Sequence, residues 1–317
     1  MYTDLALEAH SLAVERTGTE IPGVELVEEK TQNSMITRIN IFNEQGARTL
    51  GKPPGRYITI EAEGLQGHNR LVHDELTEIL GNELAQLLKI NQKEPLFFVV
   101  GLGNWNATPD ALGPQIMNHV MVTRHLYEQS PPEVRQGMCP VCALAPGVLG
   151  LTGIETAEII KGVVDKIKPD YVIAIDSLAA RSTERLGKTI QLSDTGIYPG
   201  SGVGKNRPGI NEQTMNIPVI AIGVPTVVGA GTIIRDAILK MKDGNIFSPT
   251  ESERFRNMGE EGLEQAIRNS LQDELRSLIV SPKGVDQMIE DVSRIIGGGI
   301  NVALHADITP DNLSLYL

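Results

Sequence analysis

Short apolar runs alternate with amphipathic stretches along most of this chain. Met35–Ile41 alternates with a period of two and predicts a strand, as does Arg56–Ile60 after the turn Lys52-Pro53-Pro54-Gly55. Residues 69–88 place Leu71, Leu76, Ile79, Leu80, Leu84, Leu87 and Leu88 on one helical face. From residue 96 the order becomes strand–helix–strand, with apolar strands expected at Leu96–Val100, Tyr171–Ile175, Thr189–Leu192 and Ile217–Gly223. Helices are expected at about 111–128, 153–168 (ended by Pro169), 231–242, 250–279 and 285–296. The last of these is expected to stop at Gly297-Gly298-Gly299. Residues 1–34 read as polar and acidic, with a turn at Ile21-Pro22-Gly23-Val24.

This alternation predicts an α/β fold with a mainly parallel sheet and helices on both faces. The early strands lie at one end and a helical portion at the other. No repeat or linker divides the chain, so residues 1–317 read as one domain, with an α/β core over 96–240 and a helical insertion over 243–282.

Two aspartates follow apolar strands in this pattern. Leu96–Val100 leads into Gly101-Leu102-Gly103 and then Thr108-Pro109-Asp110, while Tyr171–Ile175 is followed at once by Asp176. In an open α/β sheet the carboxyl ends of parallel strands border the ligand crevice. If the two strands are adjacent, Asp110 and Asp176 share one cleft. Two carboxylates held close do not both ionise easily, so they share a proton and serve as base and acid. The pair titrates as a unit, and the sequence assigns neither partner as the base. A carboxylate placed directly after five apolar residues is costly to bury unless it is paired or used. Asp110 alone also fits an acidic helix start.

Competing motifs fail on spacing. Gly101-Leu102-Gly103 lacks the third glycine of a dinucleotide fingerprint, since position 106 is Asn. Gly200-Ser201-Gly202-Val203-Gly204-Lys205 lacks a phosphate loop's first glycine and its Ser or Thr after the lysine; Pro199 and Asn206 stand there. It reads instead as a loop near the cleft that holds a peptide backbone. No G-x-S-x-G or H-E-x-x-H occurs. Cys139-Pro140-Val141-Cys142 has no second such pair, so it reads as two thiols in a loop. The six histidines are scattered as surface or packing residues.

Charge and hydropathy narrow the partners. A net charge of −12 opposes a phosphate backbone, so direct nucleic-acid binding is not expected. The uncharged window 216–234 contains Pro218 and Pro225 and reads as strand, loop and helix start rather than as a membrane span. The N-terminus has neither the basic start nor the apolar stretch of a secretory signal. A cytoplasmic protein is the expectation.

Several long strings resemble the spore germination proteases. Val99–Asn104 through Thr108–Pro114 resembles that family's first motif. Ala145–Val148, Thr152–Thr156 and Ile173–Ser182 resemble its middle block, and Ser193–Gly204 with Gly223–Val228 continues it. Thr3–Ala9 and the end of the last helix through His305 extend the likeness over nearly the whole chain. Cys142 departs from the small hydroxyl residue expected there.

The resemblance implies an endopeptidase of the spore core that digests small acid-soluble, DNA-protecting proteins at germination. It implies a self-processing zymogen, a homotetramer, and a fold like that of the hydrogenase-maturation peptidases. The family's catalytic aspartates fall on Asp110 and Asp176, and its self-cleavage site falls on Thr3-Asp4-Leu5-Ala6-Leu7-Glu8. The cut is expected between Asp4 and Leu5, leaving residues 1–4 as a short propeptide. Arg181 or the amides of Gly200, Ser201, Gly202 and Gly204 are candidate supports for the oxyanion. An aspartic mechanism without a cofactor is favoured. The alternatives are a metallopeptidase with Asp110 and Asp176 as ligands, and a non-catalytic binding module.

Overall fold

A computed structural model describes residues 3–67, 69–131, 135, 137–198, 208–243 and 249–315. Nine strands form one sheet: β1 Val24–Lys30, β2 Met35–Ile41, β3 Gly55–Glu61, β4 Phe97–Gly101, β5 Val141–Leu144, β6 Tyr171–Ala180, β7 Thr189–Ser193, β8 Val219–Gly229 and β9 Ile279–Val280. Their order is β1-β2-β3-β7-β8-β6-β4-β5, with β9 on the end of β8. The α/β class is as expected, but the sheet is mixed. Only β8-β6-β4-β5 run parallel. Strand β7 is antiparallel to both β8 and β3, and β1–β3 form an antiparallel run. The connection from β6 to β7, residues 181–188, explains the reversal. It is shorter than the dozen or more residues that a parallel crossover needs.

Twelve helices are described. They are α1 Ala6–Thr17, α2 Glu44–Leu50, α3 Arg70–Leu88, α4 Leu112–Ile116, α5 Arg124–Gln129, α6 Leu149–Thr152 and α7 Thr156–Ile167, then α8 Glu212–Met215, α9 Ala230–Asp243, α10 Pro249–Ser270, α11 Asp273–Arg276 and α12 Val285–Leu304. On one face of the sheet, Phe97, Val99, Ile173, Ile175, Ile220 and Ile222 pack against α3 and α12. On the other, Phe98, Val100, Val172, Ala174 and Ala221 pack with α7 and with Leu5.

The elements differ from the pattern-based expectation where tertiary contacts override local signals. The stretch expected as one helix over 111–128 is broken after α4, and Asn301 of α12 bonds both freed backbone groups. Its Nδ2 donates to His119 O (2.8 Å), and its Oδ1 accepts from Met121 N–H (2.9 Å). The helix expected over 153–168 is α7, which begins at Thr156, and a separate short helix, α6, precedes it and is ended by Gly153, whose φ of 72° is left-handed. The stretch expected as a helix over 250–279 ends at Ser270, kinks at Gly259, and finishes as α11 and β9. Residues 1–34, read as turn and polar chain, contain α1 and β1. Cys142 lies in β5 rather than a loop. The window 216–234 is β8 and the start of α9, and among the described residues no helix is long and apolar enough to cross a membrane.

The most instructive departure is α12, which runs straight through Gly297-Gly298-Gly299 instead of stopping there. These glycines are contact surfaces, not a terminator. A Cβ at Gly299 would lie 2.2 Å from Leu80 of α3, and one at Gly297 would lie 2.4 Å from His119 Cβ and 2.9 Å from its carbonyl oxygen. Close approach is therefore what the glycines supply, at roughly 1 kcal/mol each in helix propensity relative to alanine. Gly297→Ala should lower stability by about 1–3 kcal/mol in denaturant titration, because the backbone of His119 cannot yield as a side-chain tip can.

Candidate active site

Strand β4 stops at Gly101, level with Ile175 of β6, while β6 continues to Ala180 alongside β8. Asp176 therefore sits inside a strand rather than beyond its end, at the first position of β6 without a β4 neighbour. The chain leaving β4 fills the gap. Leu102 N–H donates to Ile175 O (2.7 Å), and the loop then turns back so that Asn104 N–H reaches Asp110 O (2.9 Å). Gly103, at φ 115°, makes this possible, since a Cβ there would lie 1.9 Å from Asp110 O. Asp110 ends a 3-10 turn, Thr108–Asp110, held from β8. There a bulge leaves Thr226 unpaired between Pro225 and Val227, and its hydroxyl donates to Pro109 O (2.7 Å). Thr226 was invisible in the sequence because only the bulge aims it at this turn.

The electrostatics follow from burial. Asp176 is buried, and its carboxyl is pushed well above the usual range, first by desolvation and then by the charge of Asp110; Asp4 adds to the rise. One hydrogen bond from Ser177 N–H (2.9 Å) opposes it. Asp110 is half-buried and also raised by desolvation, against a backbone bond from Asn104. Both carboxyls are thus shifted toward the protonated form, Asp176, the more deeply buried, the further of the two.

The N-terminal segment lies against the same strand. Asp4 N–H donates to Ala179 O (3.2 Å), and Ala179 N–H donates to Asp4 Oδ2 (2.9 Å). Leu5 is fully buried in the apolar cluster that includes Leu178. Thr3 Oγ1 bonds the buried Glu8, whose Oε2 also accepts from Arg181 N–H (2.9 Å). Asp4 and Leu5 thus lie against Ala179 and Leu178 on the strand that carries Asp176, and the charges of Asp110 and Asp4 both act on Asp176. The guanidinium of Arg181 instead lies on Glu264, with Nε to Oε1 at 2.6 Å, so its charge is already matched. Gly200, Ser201, Gly202 and Gly204 lie outside the described residues. Among the described residues no group of three or more His, Cys, Asp or Glu is arranged to hold a metal. Cys142 is half-buried, and desolvation pushes its thiol up to about 11. Cys139 is also raised by desolvation, and both cysteines are free.

With that geometry in view, comparison with known proteins is decisive. A family profile described as germination protease matches residues 4–244 and 253–317. The chain belongs to the germination protease family. The germination protease of Clostridium tetani is 45% identical over 99% of this chain and 98% of its own length. Those of Caldanaerobacter subterraneus and Bacillus thuringiensis are 46% and 42% identical, covering 97% and 96% of their own lengths. A solved [NiFe] hydrogenase maturation protease from Thermococcus kodakarensis overlaps 45% of the chain at 18% identity and a TM-score of 0.30, too slight a likeness to argue from. As a member of the germination protease family the chain is a peptidase of spore germination.

Two outcomes follow for this peptidase. Thr226→Val leaves the Pro109 carbonyl without its donor, so stability should fall by about 1–2 kcal/mol and peptidase activity by roughly tenfold or more, read by denaturant titration and turnover. Asp176→Asn should raise the melting temperature at neutral pH. The folded carboxyl binds its proton more tightly than the unfolded one, whose value is near 3.8, so its contribution to stability is complete below that pH and is lost as pH rises through the folded value. Melting curves of the variant and the unsubstituted chain should converge toward pH 3.8 and separate above it.

Proposed function

We propose that this germination protease is an endopeptidase that uses Asp110 and Asp176 as an acid–base pair. The substrates are small acid-soluble, DNA-protecting spore proteins, and the chain trims itself between Asp4 and Leu5. The observation that carries this reading is the buried Asp176 under the joint influence of the half-buried Asp110 and of Asp4, the residue before that bond. Asp176 feels the charges of both Asp110 and Asp4, and Asp4 is paired to Ala179 three residues further along the same strand.

In the proposed step the ionised carboxylate takes a proton from water as the water oxygen attacks the Asp4 carbonyl carbon. The tetrahedral intermediate then collapses, and the protonated carboxyl gives its proton to the Leu5 nitrogen as the C–N bond breaks. Placement of such groups is worth on the order of 10² to 10⁴-fold. Asp110, the less buried partner, fits the base, and Asp176 fits the acid. The homotetramer and the spore core remain part of the reading through the resemblance. The net charge of −12 suits a peptidase that leaves DNA unbound while removing its protein coat.

A metal held by the same two aspartates is the second reading. The described residues offer no third His, Cys, Asp or Glu grouped with them, so water or backbone would have to complete the shell.

Full-length Asp110→Asn and Asp176→Asn chains should each retain residues 1–4 by intact mass and leave a small acid-soluble spore protein undigested. Near-normal cleavage by either variant removes that residue from the site. Loss of cleavage by the unsubstituted chain on thorough chelation, with recovery on adding metal back, moves the mechanism to the metal reading.

A further inference from the structure

The carbonyl oxygen of Asp4 receives hydrogen bonds from two side chains that no motif in the sequence connects. Lys52 Nζ, from the turn before β3, lies 2.8 Å from it, and Gln191 Nε2, from β7, lies 3.3 Å away. We propose that Lys52 and Gln191 are catalytic residues for the Asp4–Leu5 bond, polarising its carbonyl and stabilising the oxyanion that forms on attack. The inference rests on the reading that this bond is cut.

Sheet register supports it. Gln191 of β7 and Asp176 of β6 are both paired with Gly223 of β8, so the three occupy one row across the sheet, and their side chains share a face. Gly223 contributes no side chain to that row, and a Cβ there would lie 2.5 Å from Leu178. The row thus carries a buried carboxyl on one strand, bare backbone on the next, and a carbonyl donor on the third.

The orientation of Gln191 is set by a second bond. Its Oε1 accepts Ala6 N–H at 2.6 Å, which leaves Nε2 to face the Asp4 carbonyl. One side-chain amide therefore brackets the bond, gripping the carbonyl before it and the N–H one residue beyond it. Lys52 grips the other side, since its Nζ also reaches Thr3 O (3.3 Å). Burial pulls the Lys52 ammonium below its ordinary range while Asp4 and Glu8 oppose that fall, which marks a cation in a poorly solvated place.

The chemistry needs no proton from either residue. Water's oxygen bonds to the Asp4 carbon, its proton goes to one aspartate, and the carbonyl π-pair moves onto the oxygen. Collapse returns that pair, breaks the C–N bond, and sends the other aspartate's proton to the Leu5 nitrogen. Between these events the oxygen carries a full negative charge where the ground state had only a dipole. A cation and an N–H aimed at that oxygen therefore favour the transition state over the intact bond.

The test is the rate of self-trimming of full-length chains, followed by intact mass as loss of residues 1–4. Lys52→Met should slow trimming by about 10² to 10³-fold, the usual effect of removing one oxyanion donor, with the melting curve retained. Lys52→Arg, which keeps a cation, should trim faster than Lys52→Met; the reverse order would mean that the lysine serves only as packing and would overturn the proposal. Should Lys52→Met melt early, Gln191→Glu decides. It keeps the acceptor for Ala6 N–H and removes the donor, so trimming at neutral pH should fall by a similar factor. Trimming by these variants within threefold of the unsubstituted chain sinks the inference alone. An unsubstituted chain that never loses residues 1–4 defeats the processing reading and this inference with it.

Discussion

A carboxyl group buried within the sheet is the constraint around which the rest of this molecule is arranged. Asp176 occupies a position in β6 where apolar residues stand on both sides, Ile175 before it and Leu178 soon after. Removing a carboxylate from water costs several kcal/mol, and the site supplies one backbone N–H in return. Burial favours the protonated form of this carboxyl, and in the proposed mechanism that proton is the one delivered to the leaving amine. Stability and the proposed chemistry therefore draw on the same proton, and a carboxyl shifted by burial in this way is the kind of group found at functional sites. The neighbouring backbone carries the same signature. A strand ends early, a loop turns through a left-handed glycine, and a bulge spends a threonine hydroxyl on holding Pro109 in place.

The opposite face of the sheet has the contrasting task of not moving. There α3 and α12 meet through Gly81 and Gly299 with Leu80 and Val302 interleaved, and the apolar residues of β4, β6 and β8 close the layer beneath them. Asn301 in the same helix holds the backbone on either side of Val120, in the segment that leads from the Asp110 turn toward β5. The rear layer thus holds, through one side-chain amide, the segment that follows the Asp110 turn. A tightly packed layer behind a polar front keeps the two aspartates from drifting apart, and an error near 1 Å in such placement can cost about 10²-fold in rate.

How much of this was legible in the chain depends on where each signal came from. The parallel strands β4, β6 and β8 were readable because a fully buried strand is continuously apolar, and Asp176 stood out as a polar interruption of one, whereas β5, also parallel, is short and half-buried and was read as loop. Strand β1 was not readable, since an edge strand reading Val-Glu-Leu-Val-Glu-Glu-Lys exposes most of its side chains and carries the charges that discourage edge pairing. The three glycines of α12 misled for a different reason. Glycine marks a helix end when it adopts a left-handed conformation and a helix crossing when it omits a side chain, and the letters do not distinguish the two. Lys52 and Gln191 were beyond reach altogether. Residues 4, 52 and 191 come together only through the antiparallel register of β3, β7 and β8, and that register is the part of the sheet that alternation read as parallel.

The same register bears on how the segment before Leu5 would restrain a protease in the proposed processing. Its hold does not depend on length. Asp4 is fixed through its N–H and carboxylate to Ala179 and through its carbonyl to Lys52, and Thr3 through its carbonyl to Lys52 and its hydroxyl to Glu8. Because the segment continues directly into Leu5 and α1, which are anchored in the core, it competes for that place as a tethered ligand, at an effective concentration of order millimolar or above. Cutting after Asp4 removes the tether but leaves Leu5 and Ala6 buried, so the bonds around Ala179, Lys52 and Gln191 are the ones released. On the proposed processing, restraint and recognition would be two uses of one set of hydrogen bonds, separated by the covalent link between Asp4 and Leu5.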